Sequence, residues 1–510
     1  MLKKKDSFPT IDPVIPAAAA ATFHCWVSLL RFVYKQGRLL LPIDKALCAA
    51  AALVFLLWFL RGTGQIRLRR GHLLTGLIMA AYLISCVVAS FVWKKNMFYQ
   101  NRVYLLDTFA TLMIIYPLGH WMGRQRDQTP LKIWIHIQML LWSAFMLYVL
   151  KTIFSYKMKP LPGGGYITMG NRLFGLRYNC NPNTSGLVQM LVFLILIILF
   201  FWDRMIPAKV LCIALAAIHF LALVLTRSRT SILVSVLGAA GMVFIWLSRG
   251  KNPGKKNRQE RFIPAAAAVA VIILLLISEQ VILHVYLAGK ENRTRKNKVA
   301  SEIQFEGYAD AGPFAIMAQA SEAADRKAKE NKQEDLQDDI EEEASEENAG
   351  NRNASYYINR LLTGRLEIWS ATFKALMTDP PQRLLTGTTP DRVFQAIYVA
   401  SGEKHRKYTH NQFLEFALTL GIPSLIVYIL FLAYTIRNMR GLNRMRPTDR
   451  IVRLVQMLFV MLVLANMTES TLLFYQFPSA YVFFFICGWM NEKRISEAKR
   501  LEAEKIRHSH

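Results

Sequence analysis

The sequence predicts an all-α protein: a polytopic transmembrane helical bundle of about twelve spans, with a large extracytoplasmic loop that carries amphipathic helices. Three observations predict this class. Of the 510 residues, 53% are hydrophobic and only 19% are charged. The apolar residues come in blocks long enough to cross a bilayer, which takes roughly 20 residues of helix. The lysines and arginines between the blocks gather mainly on one side of the predicted bundle, as the positive-inside bias requires.

The predicted spans are helical because hydrocarbon offers backbone groups no other partner, and the blocks are too uniformly apolar for barrel strands. The first block carries His24 and Arg31, so it could instead lie in the membrane interface as an amphipathic helix. The second block is short unless it includes Leu39–Leu41. The twelve blocks lie near residues 17–34, 46–60, 72–93, 103–121, 131–155, 184–202, 207–226, 230–248, 262–288, 411–436, 451–470 and 472–490.

The basic segments predict the orientation of the bundle. With twelve spans, four Lys- and Arg-rich segments fall on the same side as the N-terminus: 61–71, 249–261, 437–450 and the tail after Met490. That side is expected to be cytoplasmic. The sequence therefore predicts a multi-pass protein of the cytoplasmic (inner) membrane with both termini in the cytoplasm.

The predicted spans divide the chain into four parts. Residues 1–288 hold about nine N-terminal spans, and residues 411–490 hold about three C-terminal spans. Between them, residues 289–410 form a large extracytoplasmic loop, too long for a simple connector. Residues 491–510 form a basic cytoplasmic tail.

The large loop is composite. Residues 321–349 are acidic and of low complexity, which predicts a solvated insertion rather than a packed element. A partner-binding role for this insertion stays an alternative. Residues 355–378 regain apolar residues at helical spacing, which predicts an amphipathic helix on the outer membrane face. Thr363 and Gly364 could start it, and Pro380–Pro381 stops it.

Several function classes are excluded by composition and motifs. The apolar blocks argue against a soluble enzyme, a fibrous protein and a secreted disulfide scaffold. The net charge of +27 suits anionic lipid head groups better than nucleic acid, so no nucleic-acid partner is expected. Metal-ligand and nucleotide-binding motifs do not occur outside the low-complexity tract. No metal and no cofactor are therefore predicted.

The residues that best suggest chemistry are arginines and one histidine on the predicted outer side. Several guanidinium groups that converge on one face repel each other unless an anion neutralises them, and guanidinium grips phosphate bidentately. Histidine can take a proton from a hydroxyl near neutral pH. Such a set suits a lipid diphosphate whose departure is assisted while a hydroxyl attacks. The set comprises Arg172, Arg177, Arg227, Arg229, Arg365 and His410, with Asn411 beside the histidine.

The motifs around these residues, in this order, resemble the O-antigen ligase and O-antigen polymerase superfamily of bacterial membrane glycosyltransferases. The resemblance runs from about residue 170 to 490. The acidic tract at 321–349 departs from the common pattern and leaves the length and order of the catalytic loop open. The motifs read RLFGLRYNCNPN, LTRSRTSIL, TGRLEIW, GTTPD (387–391) and THNQFLEFALTLGIPSLIVY.

The resemblance implies roles for the candidate residues. Arg229 of the S-R motif and Arg365 of the G-R-L-x-x-W motif would bind the donor diphosphate, with Arg172 as a further contact. His410 of the H-N motif would be the catalytic general base. The resemblance gives supporting roles to Arg177, Arg227 and Asn411 and adds Glu469 to the set.

The resemblance also implies the partners. The donor would be an oligosaccharide linked to undecaprenyl diphosphate, and the acceptor a glycan, lipid or protein hydroxyl. Cell-surface polysaccharide synthesis (O-antigen, capsule or exopolysaccharide) would be the setting, and other polysaccharide assembly proteins would be further partners. Ligase and polymerase stay equally open, as do sugar identity, anomeric outcome and oligomeric state.

Two other classes compete with this reading. A transporter or flippase of lipid-linked oligosaccharide also needs many spans and a cationic site. It predicts polar residues along a path through the bilayer, often in repeated halves, whereas the polar groups here gather at one face. A non-catalytic scaffold would use the acidic insertion as its partner site.

Overall fold

The computed structural model describes residues 18–27, 42–50, 70–154, 168–169, 172–173, 182–248, 262–285, 365–378, 381–393, 395–397, 409–473 and 478–508. In this part of the chain the protein is helical almost throughout, which confirms the predicted all-α class. Contacts divide the chain into two compact units, one of Met1–Gln280 with Ile368–His510 and one of Val281–Glu367.

The N-terminal helices are numbered in chain order. Residues 18–27 form α1 and residues 42–50 form α2. A π-helical turn, Thr111–Ile115, joins α5 to α6 without interrupting the rod. The following helices are α3 (Arg70–Trp93), α4 (Met97–Gln100), α5 (Arg102–Ala110), α6 (Tyr116–Arg124), α7 (Thr129–Phe154), α8 (Pro182–Trp202), α9 (Ile206–Thr226) and α10 (Arg229–Leu247).

The C-terminal half continues with helices α11 to α17, and residues 395–397 are also helical. A 3₁₀ turn, Pro390–Arg392, lies between α13 and α14. The helices are α11 (Phe262–Val285), α12 (Arg365–Thr378), α13 (Pro381–Thr386), α14 (Gln412–Leu420), α15 (Ile422–Met445), α16 (Arg450–Asn466) and α17 (Pro478–His508).

Eight helical rods among the described residues are long and apolar enough to cross a membrane. They match eight predicted spans, from 72–93 to 411–436. Of the first two predicted spans, 17–34 and 46–60, only residues 18–27 and 46–50 belong to the described residues. The predicted spans 451–470 and 472–490 correspond to α16 and to the start of α17. The total of twelve stays a prediction.

The structure corrects one predicted span. Residues 411–436 do not form one helix, because the helical conformation is interrupted at Gly421, which has a φ of 84°. A Cβ atom there would lie less than 3.0 Å from the carbonyl oxygen of Leu385, so only glycine fits. Pro423 then occupies the first turn of α15, where its missing N–H costs nothing. The break separates a short helix, α14, from the membrane-length α15.

The predicted helix at 355–378 is present in its described part, and its place on the outer membrane face stays a prediction. It begins at Arg365, directly after the predicted start signals, and ends at Thr378, before the two prolines. Residues 355–364 lie outside the described residues. So do the insertion 321–349 and most of the large loop.

Small residues allow the closest helix packing. Gly119 and Gly123 of α6, four positions apart, face the backbone carbonyls of Phe485 and Trp489 in α17. From the other side, Gly488 faces the carbonyl of Tyr116. This spacing of glycines is typical of membrane helices whose backbones touch. It fixes α17 against α6 along its first half.

A second packing relation sets the level of the candidate site. Gly238 of α10 lies against Met461 of α16, and Gly241 lies against Met457. The two helices therefore run antiparallel. Followed from the Gly238–Met461 contact, α10 toward Arg229 and α16 toward Asn466 therefore lead to the same end of the bundle. The start of α10 and the turn that follows α16 thus lie at the same end of the bundle.

One short ribbon interrupts the helices. Strands β1 (Thr168–Met169) and β2 (Arg172–Leu173) pair antiparallel, with Met169 opposite Arg172. The sequence predicted only turns here. The ribbon fixes the backbone of Arg172 beside the residues of α8 and α9.

Candidate functional site

The candidate site is built on the segment that starts α14. Asn411 is the N-cap, and its side-chain oxygen accepts hydrogen bonds from the backbone N–H groups of Phe413 (2.9 Å) and Leu414 (3.2 Å). Asparagine is among the best N-cap residues because its short side chain satisfies these otherwise unpaired donors. The cap fixes the direction in which the preceding residue, His410, enters the helix.

His410 has an uncommon backbone conformation. Its φ is 52°, in the left-handed region that residues other than glycine rarely adopt. Such a conformation persists only where neighbouring contacts hold it, and it is concentrated at functional sites.

The turn after α16 supplies the contacts that hold this segment. The side-chain amide of Asn411 donates to the carbonyl of Met467 (3.0 Å). The Gln412 side chain accepts from the backbone N–H of Leu472 (2.9 Å). The hydroxyls of Thr409 and Ser470 lie 3.3 Å apart. Hydrogen bonds from three of the four residues 409–412 thus join this segment to residues 467–472.

Within this frame, His410 and Glu469 form a pair. The Nδ1 atom of His410 lies 2.9 Å from Oε2 of Glu469. Glu469 is 3% exposed, whereas the His410 side chain is 17% exposed. A carboxylate that accepts from Nδ1–H orients the ring and leaves Nε2 as the nitrogen for proton transfer. The arrangement has the geometry of a general base with an orienting carboxylate.

A second carboxylate, which the sequence analysis missed, supports the pair from the interior. Glu415 is fully buried, and its Oε2 accepts from both the backbone N–H (2.9 Å) and the hydroxyl (2.8 Å) of Thr409. Thr409 is the residue directly before His410. A glutamate inside an otherwise apolar stretch, FLEFALTL, was the available signal.

The GTTPD turn packs on the far end of α14. The backbone N–H groups of Thr388 and Thr389 donate to the carbonyls of Leu418 (2.9 Å) and Thr419 (3.0 Å). Asp391 accepts from the side-chain amide of Asn101 (2.7 Å). The turn therefore links α14 to the α4–α5 junction.

The two arginines of the S-R motif lie at the start of α10. Arg227 ends α9 with a φ of 52°, and its backbone N–H donates to the carbonyl of Val224 (2.9 Å). Ser228 is buried, and its hydroxyl lies 2.9 Å from that of Ser231. Arg227 and Arg229 are exposed on either side of it. A helix N-terminus with exposed guanidinium groups favours anions.

The remaining predicted arginines are distributed as follows. Arg172 lies in β2, which adjoins α8 and α9. Arg177 lies outside the described residues. Arg365 is 5% exposed and opens α12, within the unit formed by Val281–Glu367.

Two groups among the described residues have the composition of a metal site. Their ligand atoms lie within 4.8 Å of one another, and they consist of His24, Asp44 and Cys48, and of His136, Asp203 and Cys212. Neither group contains a predicted site residue. In the second, the Lys132 ammonium already pairs with Asp203, which opposes a cation.

Asp203 illustrates the electrostatics outside the predicted spans. Burial alone would raise the pKa of this carboxyl, but hydrogen bonds from Lys132 and His136 outweigh burial and lower the pKa. The Nε2 atom of His136 lies 2.8 Å from the carboxylate of Asp203. Asp203, Lys132 and His136 therefore form a structural cluster in which the carboxylate is neutralised.

The comparison with known families agrees with the motif order. Residues 213–429 match the family model described as O-antigen ligase. The match confirms the predicted resemblance and includes Arg227, Arg229, Arg365, His410 and Asn411. No curated protein matches the chain. Together with the apolar helices, the match supports a multi-pass membrane protein that is similar, over residues 213–429, to proteins of the O-antigen ligase family.

Proposed function

We propose that this chain, which matches the O-antigen ligase family over residues 213–429, is a glycosyltransferase that works without metal. It transfers or polymerises glycan from an undecaprenyl-diphosphate-linked donor to an acceptor hydroxyl. The reaction takes place on the outer face of the cytoplasmic membrane. The observation that carries the proposal is the 2.9 Å pair that His410, the histidine of the H-N motif within the matched residues, forms with Glu469.

The proposed reaction is a single displacement. Nε2 of His410 takes the proton of the acceptor hydroxyl while the hydroxyl oxygen attacks the anomeric carbon of the donor. The bond between that carbon and the diphosphate oxygen breaks, and its electron pair leaves with the undecaprenyl diphosphate. Glu469 stabilises the imidazolium that forms and holds the ring in the required orientation.

The arginines act on the leaving group. Arg229 and Arg365 bind the diphosphate, with Arg172 as a third contact and Arg227 and Arg177 in support. Negative charge grows on the diphosphate as the bond breaks, so fixed guanidinium groups stabilise the transition state more than the ground state. The motif order supports the inclusion of Arg172, Arg177 and Arg365. The exposed position of Arg229 at a helix N-terminus supports its own role.

The test is transfer in vitro with the purified full chain in lipid nanodiscs, a defined undecaprenyl-diphosphate oligosaccharide and a panel of acceptors. We expect His410→Ala to lower the transfer rate on the order of a hundredfold or more. Product length separates a single transfer from polymerisation. A near wild-type rate from a well-folded His410→Ala variant would overturn the proposal.

The same assay tests the scaffold alternative. If the acidic insertion were the functional element, deletion of 321–349 would abolish function while His410→Ala would leave it intact. We expect the reverse, with transfer retained by the deletion variant. Movement of donor lipid across the bilayer without any glycan product would instead favour a transporter.

A further inference from the structure

One face of α17 changes character along its length. The residues of this face follow one another at alternating spacings of three and four, which keeps them on one side of the helix. They are apolar in the first half of the helix and mainly basic in the second half. The 31 residues of α17 extend over about 46 Å, more than the roughly 30 Å of a bilayer core. The face consists of Val482, Ile486, Trp489, Lys493, Ser496, Arg500, Ala503 and Arg507.

The apolar half of this face lines a groove. The groove lies between α17 and helices α1, α6, α7, α8 and α16, and its lining is almost entirely aliphatic and aromatic. Trp134, Leu191, Ile451 and Phe485 are among its walls. A groove of this chemistry accommodates hydrocarbon chains rather than polar ligands.

The basic half lines a separate pocket of about 610 Å³. Seven cationic side chains face this pocket, but only two carboxylates, Glu497 and Glu504, do so. These two carboxylates pair within the pocket, Glu497 with Arg446 (2.9 Å) and Glu504 with Arg500 (3.3 Å). The cationic residues are Arg124, Arg126, Arg446, Lys493, Lys499, Arg500 and Arg507.

This excess of positive charge calls for an anion. Like charges held together repel, and guanidinium groups bind phosphate oxygens through paired hydrogen bonds. Burial lowers the pKa of Lys493; Glu497 acts in the opposite sense, while Arg446 adds to the lowering. A bound phosphate would relieve that repulsion.

The groove and the pocket meet at Trp489. Its ring lines the groove, and the ammonium of Lys493, one turn further along α17, lies 6.0 Å from the ring centroid. The Trp489 indole N–H donates to Gln128 (3.0 Å). Gly123, which lines the pocket, packs on the Trp489 carbonyl. Tryptophan is enriched where hydrocarbon gives way to head groups.

We propose that this groove and pocket together bind one anionic phospholipid with two phosphates, of the diphosphatidylglycerol class. The phosphates occupy the basic pocket and the acyl chains lie in the apolar groove. Basic pockets between membrane helices on the positively charged side suit such head groups. Seven cations against two carboxylates leave an excess of five positive charges, which matches two phosphates better than one. The site is distinct from the His410 site and does not depend on the proposed transfer reaction.

The test measures lipid binding to the purified full chain by native mass spectrometry, with diphosphatidylglycerol, phosphatidylglycerol and phosphatidylethanolamine as probes. The pocket variant is Arg126→Gln/Lys499→Gln/Arg507→Gln. The control is Arg437→Gln/Arg440→Gln/Arg444→Gln, which removes the same charge from exposed residues of α15 outside the pocket. All six side chains are exposed, so both variants are expected to fold.

We expect the pocket variant to bind diphosphatidylglycerol at least tenfold more weakly, and the control to change by less than twofold. Equal loss in both variants would show surface charge attraction alone and would overturn the proposal. So would equal binding of phosphatidylglycerol at matched phosphate concentration. His410→Ala should bind the lipid as the wild type does. The lipid-binding result therefore tests this proposal even if the proposed transfer reaction is wrong.

Discussion

The Nδ1 atom of His410 lies 2.9 Å from Oε2 of Glu469, although 59 positions separate the two residues in the sequence. The histidine precedes α14 and the glutamate follows α16. Four side-chain links between 409–412 and 467–472 hold these two segments together. The pair therefore depends on how two helix ends meet, and its function can be tested residue by residue.

The first prediction concerns the carboxylate of the pair. Glu469→Gln keeps the shape of the side chain but removes the charge that stabilises a protonated imidazole. We expect kcat to fall at least tenfold with little change in KM for the donor, because the loss is felt in the transition state. Steady-state transfer kinetics measure both constants. Glu502→Gln, on an exposed position of α17, is the control. A rise in KM alone would assign Glu469 to substrate binding.

The second prediction concerns the hydrogen bond between Thr409, the residue before His410, and the buried Glu415. Thr409→Val preserves volume but removes the hydroxyl that donates to Glu415 and so leaves a buried carboxylate short of a partner. We expect a loss of about 1–3 kcal/mol in stability and a lower transfer rate. Thr409→Ser restores the hydroxyl and should recover most of both. Thermal unfolding in detergent and the transfer assay are the measurements. Equal behaviour of the Val and Ser variants would contradict this role.

The third prediction concerns guanidinium geometry. Arg229→Lys and Arg365→Lys each keep a positive charge but lose the planar fork that grips two phosphate oxygens. We expect transfer to fall at least tenfold in each variant. Arg204→Lys, on an exposed turn between α8 and α9, should keep its activity. Full activity in the Arg229 and Arg365 variants would show that a point charge suffices.

The fourth prediction concerns the GTTPD turn. Gly387 has a φ of 75°, and a Cβ there would lie less than 3.0 Å from the backbone of Thr419. Gly387→Ala should therefore destabilise the protein by at least about 2 kcal/mol. Gly76→Ala is the matched control, because a Cβ at this position in α3 meets no atom within 4 Å. Apparent melting temperatures compare the two, and equal values would refute the assigned strain.

The fifth prediction concerns pH. The pKa of Asp203 is lowered in the folded protein, so its ion pairs stabilise the fold above the ordinary aspartate pKa of about 3.9 and stop doing so as the pH falls through the lower folded value. Asp203→Asn should thus cost about 1–3 kcal/mol at pH 7. The gap to wild type should narrow as the pH falls below about 3.9. Melting temperatures across this range test it, and a gap independent of pH would exclude the ion pairs as its cause.

The helices were predictable because their signals are local. Apolar runs of membrane length gave α3 and α7 to within a few residues, and the two prolines after Thr378 marked the end of α12. The predicted span that begins at residue 411 gave the start of α14, for which Asn411 is the N-cap. The interruption between α14 and α15 at Gly421 was not predicted, because apolar residues surround it on both sides. Hydropathy carries no information about a positive φ angle.

The candidate site was predictable in its parts. His410 and the arginines of the S-R and G-R-L-x-x-W motifs stand in short patterns that resemble one family, and Glu469 was named beside them. Glu415 was not, because nothing in its own stretch of sequence shows that it accepts two hydrogen bonds from Thr409. Its role appears only when the chain before α14 folds back onto that helix.

The sequence by itself determined that this chain is a helical membrane protein and which residues could bind a diphosphate or accept a proton. These follow from composition, periodicity and short motifs, all of which act over a few residues. The tertiary structure alone decided that His410 meets Glu469, that Glu415 holds Thr409 from inside, and that the apolar and basic halves of α17 join at Trp489. Such contacts depend on the register in which distant helices pack, and that register is set by side chains along the whole interface rather than by any local pattern.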